Sequence, residues 1–315
     1  MRKIAYIFPG QGAQYVGMSR ELIEADSENI VYLEKFKART GYDLQDIMLN
    51  GPEEKLKETR FTQPAILFHS IAALRLWQKE SSITPDFVAG HSLGEFSALV
   101  ASGVLELSDA MYLVHKRGEF MIRASAGAPF GMTAIIGLAP EKVEELCEQA
   151  SEAGIVIAAN FNTPVQTVIS GSEAGVQAAM ALAESAGAKR IIPLVVGGAF
   201  HSPLVAEAAQ WLEEEMADID FKSTDIPVVS NVDALPWTDS AKIKENLAKQ
   251  VTSSVRWVES VNYMSTAGVG LFIEFGPQKV LGGMLRKIDK NLTTMNLEKP
   301  EDIGKLIELI NNGEE

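Results

Sequence analysis

The 315-residue chain has a single cysteine, Cys147, which excludes an internal disulfide framework and a cysteine-based metal cluster. Cys147 lies in Glu141–Ala150, where Val143, Leu146, Cys147 and Ala150 share one helical face, so a packed core thiol is expected. Aromatic residues are only 7% of the chain, so the core must be mostly aliphatic. Cations are also in short supply. Lys and Arg number 28 against 42 Asp and Glu, a net charge of −14, which speaks against nucleic-acid binding, because that is driven by phosphate neutralisation. There is no run of about 18 apolar residues to cross a bilayer. Ile4–Phe8 stops at Pro9, too short for an export signal after the basic start at Met1-Arg2-Lys3. A cytoplasmic protein with no nucleic-acid or membrane partner is expected.

What is present is ordinary globular composition, 46% hydrophobic and 22% charged, at a length of about two domains. Ile4–Phe8 and Asp86–Ala89 are short apolar runs that end at glycine turns and read as buried strands. Ala65–Trp77 between them has helical spacing. Strands alternating with helices indicate an α/β layer with a parallel sheet. The middle of the chain differs. Met132–Leu138, Pro140–Ser151, Ile155–Asn160, Thr167–Ser170, Glu173–Ala186 and Ile191–Val196 run β-α-β-β-α-β, a ferredoxin-like order. Glycine-containing hinges, Gly127–Gly131 and Gly197-Gly198, bound it. The expected fold is therefore a hydrolase-like parallel-sheet domain, 1–127 and 198–315, carrying a ferredoxin-like insert at 128–197. Ser202-Pro203 should start a helix running to Ala217. Val228–Ser230 and Phe272–Phe275 read as returning strands, with helices near Ile243–Gln250 and Leu281–Ile288.

Gly90-His91-Ser92-Leu93-Gly94 fits Gly-x-Ser-x-Gly, a strand-turn-helix elbow that raises a serine above a sheet edge. Ser92 is the candidate nucleophile, and the Leu93 N–H at the helix start a natural oxyanion donor. Only His69, His91, His115 and His201 are available as its base. His91 should point away from Ser92 as a packing residue, His69 lies on the preceding helix, and His115 falls on a polar helix face. His201, at the second hinge and just before a helix, is the best candidate. Between Ser92 and His201 the only Asp is Asp109, which looks like a helix cap after Ser108, so a Ser–His dyad fits better than a carboxylate triad. In the helix Ser108–Met121, Arg117 shares an apolar face with Ala110, Leu113, Val114 and Met121. A cation there is either a structural ion pair or a fork for a substrate carboxylate. Phe8-Pro-Gly-Gln-Gly-Ala-Gln14 matches neither a dinucleotide fingerprint nor a Walker loop, and its Gln11 N–H is a candidate second oxyanion donor.

These stretches together resemble the malonyl-CoA:acyl-carrier-protein transacylases, members of the fatty-acid and polyketide acyltransferase family. The resemblance spans nearly the whole chain. It rests on the glycine loop and the serine motif, on Thr62–Ala65, Asn162–Gly171, Ala199–Pro203, Ser230–Ala234 and Glu274–Pro277. It implies that Ser92 carries a malonyl ester, that His201 is its base and acid, and that Gln11 and Leu93 form the oxyanion hole. Gln250 would orient His201 through its main-chain carbonyl, and Arg117 would grip the malonyl carboxylate. Phe200 would crowd an α-methyl group, and Met121 is expected to bind substrate with Arg117 and Phe200. No metal or bound cofactor is implied: malonyl-CoA is the substrate, coenzyme A the product, and acyl carrier protein the partner of a monomer. That carrier is usually acidic, so Lys189-Arg190 and Arg286-Lys287 with Lys290 are candidate docking cations. Phe96, Ser254 and Gln278 depart from the family's pattern, none of them expected to touch the chemistry. The competing readings are an acyl-thioester hydrolase of the same fold and a non-catalytic docking subunit of a synthase.

Overall fold

The computed structural model describes residues 3–312. Met1, Arg2 and Gly313–Glu315, which fall at the ends of the expected hydrolase-like domain, lie outside the described residues. Among the described residues ten strands occur in chain order: β1 (Lys3–Phe8), β2 (Phe87–Gly90), β3 (Phe130–Ile136), β4 (Val156–Thr163), β5 (Gln166–Ser172), β6 (Arg190–Pro193), β7 (Val228–Val229), β8 (Pro236–Trp237), β9 (Val269–Phe275) and β10 (Thr293–Leu297). Six of them form one sheet in the order β10-β9-β1-β2-β7-β8, parallel except for the last pair. Both faces of this sheet are covered, which is why β1 and β2 read as unbroken apolar runs. Tyr6, Phe8 and Val88 enter the core on one face, while Ala5, Ile7, Phe87 and Ala89 enter that on the other.

The remaining four strands make an antiparallel sheet in the order β4-β5-β3-β6, with helices Pro140–Ala150 and Glu173–Ser185 between strands in ferredoxin-like succession. One face of that sheet, with Ile135 and Ile169, packs on Val143, Leu146, Cys147, Val176 and Ala179 from the two helices. The opposite face contributes Met132, Ala134 and Val168 to the core of the larger domain. Cys147 is buried, and burial pushes its thiol up to about 12, as befits a core residue. Among the described residues no helix is long and apolar enough to cross a membrane.

Four expectations change. The helix expected at Ala65–Trp77 runs from Thr59 to Glu80 and contains Pro64. Proline cannot donate to the Arg60 carbonyl four residues back, and that carbonyl accepts a 2.8 Å bond from His115 Nδ1 instead. His115 is consequently buried beside Phe36, Tyr42 and Phe61 rather than on a polar face. Asp109 is not a cap. The helix Leu107–Ala124 begins two residues earlier, and Asp109 pairs with Arg39 at 2.7 Å. After His201 the chain first makes a short 3₁₀ turn, Pro203–Val205, whose first N–H groups are capped by Ser202, and the helix Ala206–Ala217 follows.

Candidate active site

The site grows from the turn between β2 and the helix Gly94–Ala101. The turn closes only without side chains at its two glycines: a Cβ on Gly90 would lie 1.9 Å from the Gly94 carbonyl, and one on Gly94 would lie 2.1 Å from the Phe8 oxygen. Ser92 sits between them at φ 53°, the left-handed region that non-glycine residues seldom enter. Asn231 holds it there. Its Oδ1 accepts from the Ser92 N–H at 2.7 Å and its Nδ2 donates to the Gly90 oxygen at 2.7 Å. Asn231 follows β7, the strand paired with β2, so sheet register delivers the staple. With the Ser92 N–H engaged, the next free amides are those of Leu93 and Gln11. Among the described residues neither meets a protein acceptor, and both residues line the cleft beside Ser92.

His201, at φ 59°, is buried with its Nε2 2.7 Å from Ser92 Oγ. Its Nδ1 lies 2.9 Å from the Gln250 oxygen and 3.1 Å from the Ser253 oxygen. Carbonyls only accept, so Nδ1 carries the proton and Nε2 offers its lone pair to the Ser92 hydroxyl. Two main-chain oxygens thus do the orienting that a carboxylate does in a triad. Burial first, then the nearby Arg117 cation, push His201 down to about 3, against the two carbonyl bonds that favour its charged form. The imidazole is therefore neutral across the ordinary pH range. Buried His69, next to Ser19, is also held near 3 by burial. Both histidines bind protons more readily unfolded than folded, so their own contribution to stability is lost as pH drops from about 6.5 towards 3.

Arg117 is 1% exposed. Its Nη1 donates to Gln63 Oε1 at 2.8 Å, and its Nη2 to Ser92 Oγ and Gln250 Oε1, each at 3.0 Å. Its Nε–H is buried with no acceptor among the described residues. Burial lowers its pKa to about 10, which leaves it charged. No carboxylate lies within ion-pair reach of it among the described residues: its direct acceptors are neutral, and Glu95 acts on it only from a distance. This is a buried guanidinium without a paired anion that touches Ser92 Oγ, an arrangement with the chemistry to bind an anion. The ring of Phe96 lies beneath it, 5.8 Å from centroid to Cζ, so this departure from the family pattern does neighbour the chemistry. Of the others, Gln278 takes φ 63° and Ser254 Oγ donates to Ala158 O on the insert.

The cleft holds about 190 Å³ between the two sheets, and Gln11, Ser92, Leu93, Arg117, Met121, Phe200 and His201 all line it. Gln250 lies beneath, fully buried. His91 also borders the cleft, but its Nε2 is 2.7 Å from Asn162 Oδ1, and its ring packs on Trp257. A larger hollow of about 720 Å³, bordered by Lys57, Arg60, Lys116 and Arg123, contains no serine–histidine pair. Sequence reading assigned no role to Asn231, Gln63 or Glu95. Asn231 and Gln63 stand inside motifs quoted above and Glu95 directly follows one, but their partners lie far away in sequence, and only the fold brings them together.

Comparison with known proteins places this geometry in context. The profile of the acyl transferase domain family matches residues 5–307. A malonyl CoA-acyl carrier protein transacylase of Bacillus subtilis (strain 168) is 45% identical over 311 residues, 98% of each chain. The solved malonyl CoA-acyl carrier protein transacylase of Coxiella burnetii superposes with a TM-score of 0.94 at 37% identity, covering 98% of this chain and 97% of that one. A malonyl-transacylase solved in complex with a type II PKS acyl-carrier protein has a TM-score of 0.93 and 37% identity, covering 97% of this chain and 99% of that one.

Proposed function

The chain belongs to the malonyl CoA-acyl carrier protein transacylases of the acyl transferase domain family, and from that premise we propose how its residues carry the reaction. The enzyme moves malonyl from coenzyme A to the phosphopantetheine thiol of acyl carrier protein. His201 Nε2 takes the Ser92 proton as Oγ attacks the malonyl thioester. The carbonyl oxygen becomes an oxyanion on the Gln11 and Leu93 amides. The tetrahedral adduct collapses, the C–S bond breaks, and His201 returns the proton to the departing thiolate of coenzyme A. The carrier thiol then repeats the sequence on the malonyl-serine ester, giving up its proton to His201 and leaving Ser92 protonated again. Side chains of this one chain handle every proton in both halves. We therefore assign no resident metal or cofactor and read a single chain as the working unit.

The observation that carries this reading is Arg117: a buried cation with neutral direct acceptors, 3.0 Å from Ser92 Oγ. It matches an acyl group ending in a carboxylate. The test is the intact mass of the protein after brief mixing with malonyl-CoA. A malonyl adduct is expected, and its absence together with no release of coenzyme A would refute the covalent step.

Phe200 is buried at the cleft wall. We assign it the exclusion of an α-methyl group. Phe200→Ala should raise kcat/KM for methylmalonyl-CoA relative to malonyl-CoA by about tenfold, within the range one methyl is worth in an apolar pocket. An unchanged ratio would remove Phe200 from specificity.

Lys189, Arg190, Arg286, Lys287 and Lys290 are all exposed. The helix Val280–Ile288 that carries Arg286 and Lys287 also lines the cleft through Val280, Leu281 and Met284. β6, which begins at Arg190, leads directly into cleft residue Leu194. We assign both groups to docking of an acidic carrier, since the chain's overall −14 would repel one. Arg190→Glu and Lys287→Glu should each raise KM for the carrier several-fold while leaving KM for malonyl-CoA alone. A pair whose reversal leaves the carrier KM unchanged takes no part.

We also assign residues 128–197 as an insert, because among the described residues none of its strands pairs with a strand of the larger sheet. An isolated bridge, Asn160 to Val255, joins the two bodies.

A further inference from the structure

Behind Ser92 lies a closed polar cluster that the reaction scheme leaves unused. Glu95, three residues beyond the nucleophile, is 2% exposed. Its Oε2 accepts from Gln250 Nε2 at 2.6 Å and from the Asn231 N–H at 3.1 Å, and the Ser230 hydroxyl also bonds to the carboxyl. Gln250 Nε2 donates further to the Ser92 main-chain oxygen at 2.9 Å, while its Oε1 accepts from Arg117 Nη2. That same Nη2 reaches Ser92 Oγ.

The direction of this chain is not free. A carboxamide has a donor end and an acceptor end of nearly equal shape. Turned over, Gln250 would press its oxygen against Glu95 Oε2, Ser92 O and Asn231 Oδ1, and its NH₂ against the guanidinium. Glu95 is the nearest of those three acceptors and the only carboxyl among them, so it sets the polarity most strongly. Burial raises its pKa to about 7, but every contact above is a donor, which suits an accepting carboxylate.

We propose that Glu95 is a positioning residue for substrate selection: it orients the Gln250 amide, and Gln250 in turn aims Arg117 at the malonyl carboxylate. Glu95 touches neither substrate nor the reacting atoms, and the inference rests on the role given to Arg117 above. A relay of this kind predicts a selective defect. A purely structural carboxyl predicts a general one.

The experiment measures kcat/KM for malonyl-CoA and acetyl-CoA in the full-length enzyme. Arg117→Ala is the reference and must lower the malonyl-to-acetyl ratio; if it does not, the site reading itself fails. Glu95→Met removes the acceptor and should lower the ratio about tenfold through malonyl-CoA alone. Glu95→Gln keeps an oxygen for Gln250 and Asn231, with the Ser230 hydroxyl able to turn and accept, and should rescue most of that loss. Added to Arg117→Ala, Glu95→Met should leave the ratio unchanged. Equal losses for both donors, no rescue by Glu95→Gln, or a further fall of the ratio in the Arg117→Ala background would each overturn the proposal. If Glu95→Met does not fold, Gln250→Met tests the same relay: it keeps the main-chain carbonyl on His201 and should lower the ratio about tenfold, and an unchanged ratio would refute the relay.

Discussion

Ser92→Ala should leave a folded protein that gains no malonyl mass and transfers malonyl about 10⁶-fold more slowly than the unaltered enzyme. That is the scale seen when the nucleophile of a serine–histidine unit is removed, since base and nucleophile act as one. Folding should survive, because Asn231 holds the elbow through the Ser92 main chain rather than its hydroxyl. The hydroxyl bonds to His201 and Arg117, and both lose a partner in the variant. Transfer at the original rate by Ser92→Ala would move the chain to the docking-subunit reading.

Arg117→Ala should show the second-largest effect, and a more selective one. Two charge-assisted hydrogen bonds to a carboxylate are worth about 3–4 kcal/mol, so kcat/KM for malonyl-CoA should fall by roughly 10²–10³-fold. Acetyl-CoA has no carboxylate to lose, so its kcat/KM should change little and the preference should shift towards uncharged acyl groups. Gln63 Oε1 and Gln250 Oε1 would lose their donor, so a lower thermal midpoint is also expected. Unchanged malonyl selectivity would reduce Arg117 to a structural cation.

Much of this was legible in the residues, for reasons that can be named. Short apolar strands and the Gly-x-Ser-x-Gly turn are local signals, and β1, β2 and the elbow answer to them. The elements of the ferredoxin-like insert are patterned by the core they share, with the opposite sheet face turned to the main core, so their order could be read as well. β8 and β10 were not foreseen. β8 is two residues long, and β10, Thr293–Leu297, is an edge strand whose first three residues are only half-buried. The helices Arg20–Ala25, Ile30–Thr40 and Leu44–Asn50 also went unread.

At the site, sequence order pointed to Ser92, His201 and Arg117 as single residues with chemistry of their own. It was silent on polar contacts made across the fold. Asn231 meets Ser92 over 139 residues, and Gln250 meets Glu95 over 155. His115 was misread for the same reason. Its partner is a carbonyl freed by a proline on another helix, which no periodicity within its own helix can reveal.

The central claim is that the malonyl group rests on Ser92 and leaves for a thiol rather than for water. The most direct measurement isolates the malonyl-enzyme, mixes it with holo acyl carrier protein, and follows both masses with time. The malonyl mass should leave the enzyme and appear on the carrier far faster than the adduct decays in buffer alone. Loss of the adduct as free malonate, at one rate with or without carrier, would contradict it and identify a hydrolase.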